Sequence, residues 1–332
     1  MENTTPGSST GLKYWHHLLS EPDNILQKLL VCPPDISRQE SLSLFRRNVA
    51  IINIETSSAC NRVCSYCPDA IYDRKKQILM DPGLWQRFVA NIEAIQYEQQ
   101  ISLNLYNEPM LDPTLCEKIA DLKRASPKCI TKFSSNGDYL NPDTLQQLAT
   151  AGLDQMYVTL HAPPGKPYRD PQQLEAFAKF FKRIKIDLPE LDHEPGVKIH
   201  TQLQWGSIKL VVMSNNWAER GNDRAGTVIS LKNRTGRTAP CMRVFREFTI
   251  SHLGEVFPCC QFFPDAPDSK KHVLGHIGQS DMVDIYAGQT ATDWRKSMLT
   301  FSPKARPCDT CSDPDNAQPE TSSRRLALSS TL

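Results

Sequence analysis

The stretch AIINIETSSACNRVCSYCPDAIYD, residues 50–73, governs the reading of this chain. AIINIET at 50–56 is a short apolar run rich in β-branched residues, which reads as a strand. Directly behind it stand Cys60, Cys64 and Cys67, spaced C-x3-C-x2-C. Thiolates on one tight loop can converge on a single inorganic centre, and soft sulfur selects zinc or iron–sulfur over hard cations. Three thiolates are one short of a closed tetrahedral zinc site or a fully ligated cubane. That shortfall is informative, because an open position lets a cluster iron bind substrate or cofactor directly. The plainer alternative is a structural zinc ion completed by a distant residue such as His161.

Outward from this loop the chain alternates strand and helix signals. Apolar residues recur at helical spacing over 82–95, 114–125, 142–151 and 171–184, with strand-like runs at 101–106, 129–135 and 155–162 between them. Strands alternating with helices of this length imply βαβ units and a parallel sheet. The rhythm breaks after 190. Runs at 198–205 and 208–213 are separated only by Gly206–Ser207, too short for a helical crossover, so they form a hairpin or one of them lies outside the barrel. The expected fold is α/β: an incomplete parallel β/α barrel of about five or six strands, with a small C-terminal domain. From about 235 the chain turns richer in Pro, Cys and Phe. The expected organisation is an N-terminal tail and helical extension (1–48), a core (49–234), a metal-stapled domain (235–315) and a disordered tail (316–332).

Composition narrows the function. The 332 residues are 39% hydrophobic and 23% charged, and 38 basic against 37 acidic residues leave a formal charge of +1. Such a balance offers no electrostatic footprint for nucleic acid or anionic lipid. No apolar run is long enough to span a bilayer, and the N-terminus lacks a secretory layout, so a cytoplasmic enzyme without a membrane partner is expected. Eleven cysteines are the anomaly. An odd count without a secretory signal argues against a disulfide framework and for metal. A second set supports this: Cys241, Gly254 with Cys259 five residues on, and the C-x2-C pair Cys308 and Cys311. Four thiolates complete a tetrahedral or a cubane set, and spacing alone does not separate zinc from iron–sulfur. Cys32, Cys116 and Cys129 read as small buried hydrophobes. The basic run Arg74–Lys75–Lys76 reads as solvated surface.

With these motifs the chain resembles the radical S-adenosylmethionine (radical SAM) superfamily, whose C-x3-C-x2-C loop follows the first strand of a partial barrel. The resemblance implies a 4Fe–4S cluster on Cys60, Cys64 and Cys67, with SAM chelating the fourth iron. It implies a 5′-deoxyadenosyl radical that abstracts hydrogen from substrate. It also implies SAM contacts at Tyr66, at Asn107, Glu108 and Pro109, where a Gly-Glu-Pro motif is usual and Asn107 replaces the glycine, and at Ser135 and Asn136. On local grounds alone, Glu108 could cap the next helix and Asn136–Gly137 could be a turn. Cys241, Cys259, Cys308 and Cys311 resemble the auxiliary-cluster modules called SPASM and twitch. Five cysteines in the module, rather than seven, imply one auxiliary 4Fe–4S cluster.

The resemblance favours a two-electron oxidation of a small polar metabolite in natural-product biosynthesis, with flavodoxin or ferredoxin as electron donor. Alternatives are a radical epimerase using Cys260 as hydrogen donor, a peptide-modifying maturase, and, outside enzymes, a zinc-stapled binding protein. Cys260 could also be inert or exchange with Cys259 as ligand. Arg224, in Asn222–Asp223–Arg224–Ala225–Gly226, could orient SAM or substrate or form a salt bridge. His161, at the end of a strand, could serve as base, as substrate contact or as a structural residue.

Overall fold

The computed structural model describes residues 25–313, apart from 75, 164, 218–220 and 233–234. The expected disordered tail (316–332) and residues 1–24 of the expected N-terminal tail and helical extension lie outside these residues. The chain clusters into two units, one of Ile51–Gly221 with Ile250–Gly254, the other of the chain up to Ala50, Asn222–Thr249 and the chain from Glu255 on.

In the first unit, strands β1 (Ile51–Ile54), β2 (Gln100–Ser102), β3 (Ile130–Ser135) and β4 (Gln155–Thr159) pair in parallel and in chain order. Each helix between them is amphipathic: α3 (Pro82–Ile95), α4 (Leu115–Ala125) and α5 (Pro142–Ala151), with α6 (Asp170–Arg183) after β4. α3 buries Phe88, Ile92 and Ile95, and α6 buries Phe177, Phe180 and Phe181. Their three- and four-residue spacing puts them on one face. Caps fix the helix starts. Asp81 accepts from the amides of Gly83 and Leu84, and Asn141 forms a reciprocal capping box with Thr144.

The broken rhythm after 190 is resolved as a hairpin. β6 (Lys198–Trp205) and β7 (Ile208–Asn215) are antiparallel about Gly206, whose φ of +55° suits a glycine turn. β7 also pairs parallel to β4, from Gln155 opposite Lys209 to Thr159 opposite Met213. Among the described residues the unit therefore has five parallel strands, with β6 and the short β5 (Asp192–Glu194) as an antiparallel edge. β2 stops earlier than its apolar pattern suggests, because the Asn104 side chain accepts from the Ser134 amide (2.8 Å) and the Ser102 hydroxyl (3.1 Å) in place of backbone pairing.

The second unit gathers α1 (Ile25–Leu29), α2 (Arg38–Asn48), α7 (Arg243–Arg246), β8 (Glu247–Ile250, to Thr249), β9 (Glu255–Phe257), α8 (Pro267–Lys270), β10 (Gly275–His276), α9 (Met282–Ala287) and α10 (Gln289–Leu299). The N-terminal helices α1 and α2 cluster with this unit. Phe45 of α2 packs edge-on against Phe248 and Tyr286, and Arg295 donates to the Leu29 carbonyl at 2.6 Å. Among the described residues no helix is long and apolar enough to cross a membrane.

Candidate active site and cluster centres

The C-terminal ends of the parallel strands carry the first site, the edge where parallel α/β sheets assemble their ligands. β1 leads into the cysteine loop, β2 into Asn107–Pro109, β3 into Asn136, β4 into His161 and β7 into Trp217. Cys60, Cys64 and Cys67 are free, partly buried thiols. The Arg62 amide points at Cys60 Sγ (3.5 Å), and a turn closes from the Cys67 amide to the Cys64 carbonyl (2.9 Å). Burial pushes the Cys60 thiol up to about 12 and raises Cys64 as well. A bare thiolate is therefore disfavoured on this loop, and metal charge is what would release the protons. The donor set fits a metal-held centre.

Around the loop the sequence-predicted polar residues converge. Glu108 is buried and its carboxylate accepts from Ser135 Oγ (2.8 Å), the Asn136 amide (2.7 Å) and the Met110 amide (3.2 Å). It thus caps the short turn Pro109–Leu111 and also ties β2 to β3. Burial raises its pKa despite these donors. Asn136 Nδ2 donates to Asn61 Oδ1 at 2.7 Å, and Asn61 and Arg62 both donate to Asp138. Asn107 is buried and accepts from the Leu105 amide at 3.1 Å. Tyr66 is hydrogen-bonded through its hydroxyl to His161 Nδ1 and stacks near Trp217. Burial, helped by the nearby Arg62 charge, lowers His161 to about 4, so its ring is neutral at physiological pH.

One part of this region was misread in the sequence. Arg74 is not solvated surface: it is 6% exposed and forms a two-pronged pair with Glu55, at 2.6 and 3.1 Å. Lys76 is exposed as expected, and Lys75 lies outside the described residues. Glu55 is fully buried and also meets His252 Nδ1 (2.9 Å) and the Tyr106 amide (3.1 Å). Burial pushes this carboxyl up, but Arg74 and His252 outweigh it and hold the group down at about 2. The anion is a hub joining β1, the far end of the cysteine loop, the end of β2 and the Ile250–Gly254 turn. Basic composition hid Arg74, and nothing local marks His252.

In the second unit Cys241, Cys259, Cys308 and Cys311 line a common cavity, with Arg237, Arg243, Gln261, Phe262, Trp294 and Asp313 also at its wall. Cys260 is not on that wall. Its amide donates to Glu247 Oε2 (2.9 Å), and its sulfur accepts from Arg243 (3.6 Å). Among the described residues Arg224 has no ion-pair partner; it donates to Gln261 Oε1 at 3.0 Å. Two donors that sequence reasoning passed over face a cysteine: Asn222 Nδ2 and Arg237 Nη1 reach Cys311 Sγ at 3.3 and 3.4 Å. Such donors are the usual support of a ligating sulfur. Four thiols around one cavity supply the donors for a tetrahedral zinc or for a cubane, in which each cysteine holds its own iron. Of the remaining cysteines, Cys129 is buried as expected, whereas Cys32 and Cys116 are only partly so. Cys32 donates to Gln289 at 2.8 Å.

A three-cysteine loop at the strand ends of a parallel sheet and, in the second unit, a four-cysteine cavity are two sulfur donor sets suited to metal clusters. Residues 54–194 match the family model of the radical SAM superfamily, and residues 241–312 match that of SPASM, an iron–sulfur cluster-binding domain. The chain is thus an enzyme that carries a radical SAM domain and a SPASM domain, and its cofactors are SAM, a SAM-binding 4Fe–4S cluster and auxiliary iron–sulfur. It is similar to the S-adenosyl-L-methionine-dependent 2-deoxy-scyllo-inosamine dehydrogenase of Niallia circulans, 26% identical over 272 residues, which cover 82% of this chain and 95% of the relative. Among solved structures it resembles BtrN in complex with AdoMet and 2-DOIA, with TM-score 0.58 and 23% identity over 80% of this chain and 93% of that one. BtrN in an open conformation gives TM-score 0.54 and 21% identity over 81% and 98%. At these identities the structural likeness is one of fold.

Proposed function

We propose that this enzyme oxidises a secondary alcohol of a small, polar, amino-sugar-like metabolite to a ketone, with Cys60, Cys64 and Cys67 holding the SAM-binding cluster and Cys241, Cys259, Cys308 and Cys311 holding the auxiliary one. The observation that carries the reading is the pairing of two differently built cysteine sets: three thiols on an open loop, and four around one cavity. The dehydrogenase relative, matched along nearly its whole length, supports the reaction class. When bound, the clusters and SAM supply the deoxyadenosyl radical and a one-electron acceptor. The balance is then complete: one hydrogen leaves the carbinol carbon as an atom, the hydroxyl gives up a proton, and one electron leaves to the acceptor.

The chain's own residues position and enclose. Glu108, fixed by Ser135 and the Asn136 amide, and its neighbours Asn107 and Pro109 form the polar wall that receives the methionine end of SAM. Asn61, Arg62 and Asp138 tie the cysteine loop to the turn after β3, so loop and wall move together. His161, lowered to about 4, is a poor base at neutral pH; we assign it the positioning of Tyr66 rather than proton abstraction. Arg224 acts through Gln261 in the second unit.

Reconstituted, reduced enzyme is to be incubated with SAM and aminocyclitol alcohols. Formation of 5′-deoxyadenosine with a product two mass units lighter is expected. Product of unchanged mass that gains one deuterium in heavy water would instead establish epimerisation, with Cys260 as donor. A colourless protein containing only zinc would remove the enzymatic reading.

A further inference from the structure

Arg237 on the wall of the four-cysteine cavity, and Lys304 next to it, are two buried cations with unusual partners. Arg237, 5% exposed, directs Nη1 at Cys311 Sγ (3.4 Å), Nη2 at the Pro240 carbonyl (3.1 Å) and Nε at the Ala239 carbonyl (3.2 Å). Lys304, 6% exposed, gives its ammonium to the Thr300 carbonyl, to Thr300 Oγ1 (3.3 Å) and to the Ser297 carbonyl (3.4 Å). The two are adjacent, since the Lys304 amide donates to the Arg237 carbonyl at 3.0 Å. Among the described residues neither has a carboxylate within ion-pairing distance of 4.0 Å. Arg243, on the same wall, is the contrast. Glu247 and Asp313 both pair with it, so it brings no net positive charge.

A buried charge is retained only where something compensates it. For Arg237 the group of opposite sign in contact is the Cys311 sulfur at 3.4 Å, with Cys241, Cys308 and the Asp313 carboxylate, itself paired with Arg243, also acting on it; Cys241 and Cys308 act on Lys304. Four thiolates around a cubane leave a net dianion, and reduction by one electron adds a further negative charge. Two cations held outside any ion pair offset part of the first of these charges and favour the second.

We infer that Arg237 and Lys304 are positioning residues of the auxiliary centre that supply its counter-charge and raise its reduction potential, so that the centre is poised to take up an electron rather than to serve only as a staple. This rests on the reading of Cys241, Cys259, Cys308 and Cys311 as cluster ligands. Asn222, a neutral donor to the same Cys311 sulfur, adds a hydrogen bond without charge.

The test uses the full chain with Cys60, Cys64 and Cys67 all replaced by Ala, so that the C-terminal centre alone gives a signal. Its midpoint potential is measured by dithionite titration followed by electron paramagnetic resonance. Arg237→Gln, which keeps donors but loses the charge, should weaken reduction at least tenfold, a fall of about 59 mV or more. Lys304→Met should lower the potential in the same direction, and Arg237→Lys should recover most of the loss. A merely structural arginine would leave the potential unmoved. Full iron content with an unchanged potential in both charge-removing variants overturns the inference while leaving the cluster reading standing. Should Arg237→Gln fail to load iron, Lys304→Met decides the matter by the same measurement. Absence of iron and sulfide from the parent triple variant would sink the cluster reading, and this inference with it.

Discussion

Replacing Glu55 by Gln is the sharpest perturbation that the first unit offers. The substitution keeps the shape of the side chain and removes one charge at a fully buried point. Arg74 then stays buried with its two-pronged partner gone, leaving Asp69 at 4.0 Å as its nearest acid among the ion pairs described. Breaking one half of a buried pair costs about 3–5 kcal/mol. The titration of Glu55 gives an independent figure. Its carboxyl falls from an ordinary 4.5 to about 2 on folding, which at about 1.4 kcal/mol per tenfold in proton affinity is worth about 3 kcal/mol. Because the folded-state value is depressed, this stability is fully present above pH 4.5 and is lost as pH falls towards 2. Urea unfolding followed through Trp85, Trp205 and Trp217 should show a Glu55→Gln deficit of about 3 kcal/mol at pH 7. The difference should shrink as the pH is lowered below 4.5. Adding Arg74→Met should restore part of it, since the stranded charge is then gone. A single variant within about 1 kcal/mol of the parent at pH 7, or one with the parent's full acid sensitivity, would refute the reasoning.

Other outcomes follow from the same geometry. Cys64→Ala should abolish 5′-deoxyadenosine formation while iron bound by the C-terminal domain is retained, as measured by product chromatography and iron analysis. Gly137→Ala would place a Cβ 2.7 Å from Val158 Cγ1 and 3.1 Å from Phe180, at a φ of +73°. It should cost about 2–4 kcal/mol by thermal unfolding and weaken SAM binding measured by calorimetry, because Asn136 is displaced with it. Lys118→Met strands the buried Asp112, now paired at 2.6 Å. A loss of about 3 kcal/mol is expected in urea, with KM for SAM unchanged.

Much of the fold was legible because helix starts and faces are written locally. Asp81 and Asn141 cap helices whose apolar spacing already marked 82–95 and 142–151, and both spans appear as read. Strand β2 was overestimated because the apolar run at 101–106 hides Asn104, whose side chain ends the ladder. The Gly206–Ser207 hairpin stayed ambiguous because two residues allow a tight turn but do not say which strand joins the parallel set; register with β4 settles that. In the sites, cysteine spacing was informative on its own, and Glu108, Ser135 and Asn136 do meet. What escaped was support from afar. His252 reaches Glu55 across 197 residues, and Arg237 and Asn222 reach Cys311 across 74 and 89. Burial of Arg74 depends on a partner that its basic neighbours conceal.

The turn Ile250–Gly254 has a consequence for how this protein can be made and divided. It belongs to the first unit, where the Ile250 carbonyl accepts the Glu55 amide at 2.9 Å and His252 completes the buried anion hub. A ribosome that has released the chain only as far as Gly221 has delivered every parallel strand, yet the hub is still missing one of its groups. The hub can therefore close only once translation has passed His252, inside the cysteine-rich stretch. Cutting the gene between the two matched domains should yield an upstream fragment that is expressed but acid-labile and poorly metallated. Supplying the downstream piece in trans should mend it only where that piece brings His252.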